Sequence, residues 1–266
     1  AGLGGLTLPG LMKLRAEGKA ASSSKSVILL WMTGGPSQID TWDPKPDMPI
    51  EVRGPFKTIP TKLPGTHICE FLPKQAAMLD KFTIIRSVDC RNSNHEPNMV
   101  MQTANRAAAP RINSKGHLYP AFGSVIAKHR GPNHPGMPPY VVLNLKSRSH
   151  VAWGGYLGTQ YDPFNGAVAS QLFQLPKGLT MERLQSRHDL STQMDSLRRD
   201  IDGSGMMDAM DSFSQKAFEI VAGGRAQEAF DLSKEPKNVI DRYGDHDWAK
   251  QALLARRLVE RGSSFV

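Results

Sequence analysis

Thr33-Gly34-Gly35-Pro36-Ser37-Gln38-Ile39-Asp40 places a hydroxyl, an amide and a carboxylate within four residues, directly after a pair of glycines. Glycine admits positive φ and lets a backbone approach a ligand closely. Ser37, Gln38 and Asp40 could therefore hold a cation and an ester oxygen together. The same spacing also makes an ordinary Ser-x-x-Asp turn with no chemistry. A second polar cluster is Asp89-Cys90-Arg91-Asn92-Ser93-Asn94-His95-Glu96-Pro97-Asn98. A neutral imidazole ligates a metal or moves a proton, so His95 suits either role, as does the neighbouring Glu96 carboxylate. Arg91 can bind an oxyanion in bidentate fashion. Asn94 offers an amide to a substrate, or else caps the following helix while Glu96 sits in its first turn. A third cluster, Lys146-Ser147-Arg148-Ser149-His150 followed by Trp153 and Tyr156, sets cations beside aromatics. That mixture suits an anionic ligand with a ring face, a sugar for instance, or simply packs a Gly-rich loop.

Each cluster follows a run that reads as a buried strand: Val27 to Met32 (VILLWM), Phe82 to Val88 (FTIIRSV) and Tyr140 to Leu145 (YVVLNL). Short continuous apolar runs with β-branched members suit strands covered on both faces. Helical patterns fall between them, over 71–80, 97–106 and 119–129, and the Pro-rich stretch 41–66 reads as irregular surface. Alternating strand and helix predicts an α/β fold with a mostly parallel sheet flanked by helices. From about 180 to 262 the pattern is helical, with Gly262 placed as a C-cap after Asp247 to Arg261. Ligands of open α/β sheets bind at the carboxyl ends of strands. Asp40 and His95 are accordingly expected to share one crevice and to hold a divalent metal ion, of unspecified identity.

Lys and Arg outnumber Asp and Glu by 33 to 25, for a net charge of +8. Between Pro97 and Tyr161 there is no acidic residue, while seven basic ones fall there, including Arg106, Lys115, Lys128 and Arg130. Such a field attracts an anionic ester or an acidic polysaccharide. Nucleic acid is the weaker partner, since no zinc finger, helix-turn-helix or RNP-like motif accompanies the charge. Mean hydropathy is −0.37 and no run reaches the ~18 to 20 apolar residues of a membrane span. Cys69 and Cys90 are too few for a disulfide framework or a structural zinc site, and their pairing is left open. Nucleotide-binding, serine-hydrolase and zinc-protease signatures are all missing. Ala1 to Leu11 reads as the end of an export signal, so residues 1–20 are expected to precede the folded body. At the other end Phe265-Val266 reads as a strand just begun, giving the expectation of a fold truncated at the C-terminus.

The ordered segments VILLWMTGGPSQIDTWDPKP, RGPFKTIPTKLPG, FTIIRSVDCRNSNHEPN, GYLGTQYDPF and AFDLSKEP resemble a family of exported bacterial proteins, the domain-of-unknown-function family 1501. The resemblance runs nearly end to end and implies an alkaline-phosphatase/sulfatase-like core, with 21–266 as the N-terminal part of one such domain. It implies that Asp40 is a metal-binding carboxylate at the first strand end. It also implies export to the periplasm or beyond by the twin-arginine route. Where a sulfatase carries Cys-x-Pro-x-Arg, this chain reads His95-Glu96-Pro97-Asn98-Met99, matching the proline alone. Two functions follow as expectations. One is metal-dependent hydrolysis of phosphate or sulfate esters, with His95 and Glu96 catalytic. The other is a non-catalytic exported protein for binding or surface assembly on a degenerate enzyme fold.

Overall fold

The computed structural model describes residues 25–32, 35–88, 97–109, 113–144, 153–174, 178–199 and 206–266. These fall into two compact units. Trp31–Pro97 forms one, and the described residues of Ala1–Leu30 and Asn98–Val266 form the other.

In the smaller unit a single turn of helix, α1 (Ile50–Arg53), ends at Gly54, whose φ of 75° lies where an L side chain is strained. Two short strands follow. β1 (Thr58–Pro60) pairs antiparallel with β2 (His67–Cys69), setting Ile59 opposite Ile68. The intervening turn closes at Gly65, again at positive φ. α2 (Pro73–Ala76) starts on proline, whose missing N–H costs nothing in a first turn. Ile68, Ala76 and Leu79 form the small core, with Trp42, Ile59, Leu72 and Ile84 packed around it. Two polar ties fix the rest. The Cys69 N–H donates to the Thr41 carbonyl at 2.9 Å, and Arg86 Nη2 donates to the Trp42 carbonyl at 2.8 Å.

The larger unit is built round a narrow parallel ladder. After α3 (Pro97–Thr103) and α4 (Phe122–Arg130), strand β3 (Val141–Val142) pairs in parallel with β4 (Phe164–Asn165). On its other side Tyr140 bridges in parallel to Phe265, which itself bridges in parallel to Val27. The hydrogen bonds run without a gap across the ladder. Val27 N–H donates to Ser264, Val141 N–H to Phe265 and Phe164 N–H to Tyr140, at 2.8 to 3.0 Å. Tyr140 lies across α4 at Gly123, where a Cβ would stand 2.7 Å from the ring, so only glycine fits there. Lys128, His129 and Arg130 occupy the last turn of α4, where positive charge complements the helix dipole.

Helices then take over. α5 (Ala169–Leu172) leads to the long pair α6 (Met181–Arg199) and α7 (Met206–Ala222), which lie against each other with His188 stacked on Phe218 at 4.1 Å. After α8 (Arg225–Phe230) and α9 (Lys237–Tyr243) comes α10 (Asp247–Arg261), amphipathic, with Leu253, Ala255 and Leu258 buried. Its start is capped by His246 Nδ1, accepting from the Trp248 N–H, and its end by Gly262 in the left-handed conformation. Small alanines make this packing close. Ala226, Ala229 and Ala255 sit with Val141, Leu258 and Val266 in the main core. Arg257 is buried among them at 4% exposure, ion-paired to Glu235 and donating to the carbonyls of Ala229 and Glu228.

Several expected elements differ from those observed. Helix far outweighs strand among the described residues, and the sheets are small. Of the run 27–32, Val27 bridges to Phe265 and the Leu29 N–H donates to the Val266 carbonyl at 2.8 Å, whereas Leu30 is 71% exposed. Residues 82–88 form no ladder; Ile84 packs on the small core while Phe82, Ile85 and Val88 are exposed. An apolar run specifies burial, but a strand also needs backbone partners alongside it. The third run is borne out at Val141–Val142, and Phe265 does join in parallel. The stretch 41–66 is more regular than expected, since it contains α1 and β1. Helices fall at Pro97–Thr103, Phe122–Arg130 and Asp247–Arg261, close to their expected places.

Candidate functional site

Ser37, Gln38 and Asp40 lie on one tight loop of the smaller unit. Ser37 Oγ accepts from the Ile39 N–H at 3.2 Å, a local serine turn. Thr41 Oγ1 donates back to the Ser37 carbonyl at 2.9 Å, and the Asp43 N–H donates to the Gln38 carbonyl at 2.9 Å. The loop is thus shaped by its own short polar residues. Ser37 Oγ thus accepts within the turn, while its O–H is left to donate. Asp40 differs. It is half-buried, its Oδ1 rests against Gly54, and among the described residues its carboxylate has no hydrogen-bond or ion-pair partner.

Arg91, Asn94, His95 and Glu96 lie outside the described residues, as do Cys90 and 145–150. No distance between Asp40 and His95 follows. Among the described residues no group of three or more His, Cys, Asp or Glu side chains gathers to hold a metal ion. Asp40 alone offers one carboxylate of the several ligands that a bound cation needs. Likewise, no described helix is long and apolar enough to cross a membrane.

The Gly-rich aromatic loop is described from Trp153 onward. Asp162 Oδ1 accepts from the Gly154 N–H at 2.7 Å and closes the loop on itself. Burial, with the Asp162 charge adding to it, pushes the Tyr140 phenol well above its ordinary range, so it stays protonated. Lys128 stands 5.8 Å from the Tyr161 ring. Here Tyr161 joins the cluster round Phe265 with Phe122 and Ile126 of α4, while Tyr156 is exposed.

One concavity escaped the residue-by-residue reading. A cavity of about 250 Å³ opens in the Pro-rich stretch, lined by Pro44, Lys45, Pro46, Arg53, Phe56, Lys57 and Thr58. Its charged lining residues are all cations. Lys45 is paired with Asp43 at 2.7 Å, whereas the head groups of Arg53 and Lys57 have no ion-pair partner among the described residues. Phe56 is held by an edge-on contact with Phe71, centroids 5.1 Å apart. The sequence carries the signal in DPKPDMPIEVRGPFK, where three cations stand among prolines and one aromatic.

No curated protein and no solved structure matches the chain significantly. A family model does, over residues 24–266, and the chain belongs to the family it describes, Protein of unknown function (DUF1501).

Proposed function

We propose that the chain is part of an exported, sulfatase-like protein that hydrolyses phosphate or sulfate esters with the help of a divalent metal ion. The observation that carries this reading is Asp40, a half-buried carboxylate without a partner among the described residues. A carboxylate withdrawn from water tends to be paired or to coordinate a metal. In the sequence its loop follows the apolar run 27–32, and loops after strands are where α/β folds bind ligands. The parallel sense of all the rungs from Val27 to Phe164 is what an α/β core requires.

In this reading Asp40 and His95 are ligands, Ser37, Gln38, Arg91 and Asn94 orient the ester, and His95 with Glu96 handles the proton. A bound metal would polarise the ester oxygen and neutralise developing charge. Ser37 accepts from the Ile39 N–H within its turn and has its O–H to donate to an ester oxygen. Export by the twin-arginine route, with residues 1–20 preceding the folded body, belongs to the same proposal and is motivated by the apolar Gly-rich start of the chain.

The test is metal content and ester hydrolysis on the protein purified from its intact gene, beside Asp40→Ala and His95→Ala. The expected result is a bound divalent ion, lowered occupancy in both variants, and turnover of an aryl sulfate or aryl phosphate that falls with it. Unchanged occupancy in both variants overturns the site. Metal retained without turnover of either ester overturns the hydrolase and leaves the binding protein.

A further inference from the structure

The cavity in the Pro-rich stretch has the features of a ligand site whose lining does not include Asp40 or its loop. Three cations come to it from different places, Lys45 from the segment before α1, Arg53 from the end of α1 and Lys57 from the approach to β1. No carboxylate lines it. Cations gathered on a concave surface repel one another unless an anion joins them, and a cleft of one sign of charge concentrates the opposite ion. Asp43 answers Lys45 and also lies 3.4 Å from Arg86, so that carboxylate is already shared. Arg53 and Lys57 remain for a ligand.

The walls are stiff. Pro44, Pro46 and Pro49 restrict the backbone before α1, and Glu70 accepts from the Lys57 N–H at 2.8 Å, fixing the far wall to the turn after β2. Such preorganisation lowers the cost of binding. Phe56 adds an apolar ring to the lining and is exposed by 40%, with Phe71 bracing its edge. A ligand for this cavity therefore has an oxyanion for Arg53 and Lys57 and a flat apolar face for Phe56. Size narrows it further. About 250 Å³ lies below the ~300 to 1,000 Å³ of sites for drug-sized ligands, which suits one ring with its ester group better than a nucleotide carrying base, sugar and phosphate.

We propose that this cavity binds a sulfate or phosphate monoester of a single sugar ring, with Arg53 and Lys57 on the oxyanion and Phe56 against the ring. The binding does not rest on the hydrolytic reading; it holds equally for a protein that turns nothing over. The experiment is calorimetric titration of the full chain with glucose 6-sulfate, glucose 6-phosphate, inorganic sulfate, glucose and AMP. The wild type is compared with Arg53→Gln, Lys57→Gln and the double variant, each checked for fold by circular dichroism. Expected are binding of either sugar ester, at least tenfold weaker binding of inorganic sulfate and of glucose, and at least a tenfold loss in the double variant. Should the double variant fail to fold, the two single variants carry the test, with a severalfold loss expected in each. Sugar esters bound equally by wild type and folded variants overturn the proposal, as does no binding by folded wild type. Inorganic sulfate bound as tightly as the esters removes the ring, and AMP bound more tightly than both sugar esters replaces the saccharide; either result overturns it.

Discussion

Oδ1 of Asp40 lies 3.1 Å from the point that a Cβ on Gly54 would occupy. The carboxylate therefore uses space that only glycine leaves open, and Gly54 also holds a φ of 75°. Gly54→Ala should destabilise the chain by more than about 1 kcal/mol, from backbone strain and the displaced carboxylate together. Urea denaturation checks it. The same substitution made in Asp40→Ala should cost less, since the crowding is then gone, and a cycle of the four proteins separates the two contributions.

Arg257 should be the costliest side chain to truncate. It is almost fully buried and serves Glu235 and two backbone carbonyls at once. Arg257→Ala leaves the buried Glu235 carboxylate with only the more distant Arg256, 3.8 Å away, and takes the donor from two carbonyls, for an expected loss of about 3 to 5 kcal/mol. Pairing Arg257→Met with Glu235→Met should recover part of that loss, because no charge is then stranded. Equilibrium unfolding followed at 222 nm reads both; a double variant as unstable as Arg257→Ala would place the cost in the two carbonyls instead.

Tyr140 predicts a particular alkaline behaviour. Its folded-state pKa is raised by burial, with Asp162 adding to it, above the ordinary value near 10. Below about pH 10 the phenol is protonated in both states and its contribution to stability is complete. Above that the unfolded chain ionises first, so stability falls as pH rises. Thermal melts at stepped pH should show a decline beyond about pH 10 that is shallower in Tyr140→Phe. Parallel curves for the two proteins would remove Tyr140 as its source.

Gly262 ends α10 at a φ of 117°, and a Cβ there would come 2.4 Å from the Cβ of His134. Gly262→Ala should therefore lower stability by well over the ~1 kcal/mol of backbone strain alone. Gly178 offers the control. It also has positive φ, but nothing lies within 4 Å of its added Cβ, so Gly178→Ala reports the strain without the collision. Denaturation midpoints of the two variants give the difference.

Helices were legible where caps and spacing agreed. Asp247–Arg261 shows its apolar stripe and its Gly262 stop in the sequence, and both are found. Pro97–Thr103 starts on its proline but stops short, because Ala104 turns to a φ of 52°, which an alanine does not announce. The apolar runs were harder. VILLWM and YVVLNL look alike, yet Val141–Val142 gains neighbours on both sides while Val27 and Leu29 pair on one side alone, and pairing is decided by segments far along the chain. The hairpin of β1 and β2 was hidden by prolines that sit at its edge rather than across its middle. Of the candidate site, Asp40 was found by residue type and position. The cations at Lys45, Arg53 and Lys57 were missed because α1 and the turn into β1 bring them together, which no single spacing reveals.

The parallel ladder of the larger unit has Phe265 between Val27 and Tyr140, so its middle rung comes from the segment made last of the three. Ser26 donates to the Ser263 carbonyl at 2.8 Å across 237 positions, and Tyr140 meets Phe265 from the other side. During synthesis at roughly 5 to 20 residues per second, the segments at 27 and 140 are made first and the first waits roughly 10 to 50 s for the strand between them. Until then their backbone groups and the apolar side chains beside them face the ribosome's surroundings. Local contacts such as the α6–α7 pair can form in that interval, whereas the ladder cannot, and long-range pairing of this kind folds slowly even in a finished chain. The parallel pairing of 27 and 140 thus closes later than the local helix contacts, at the step where Phe265 comes between them.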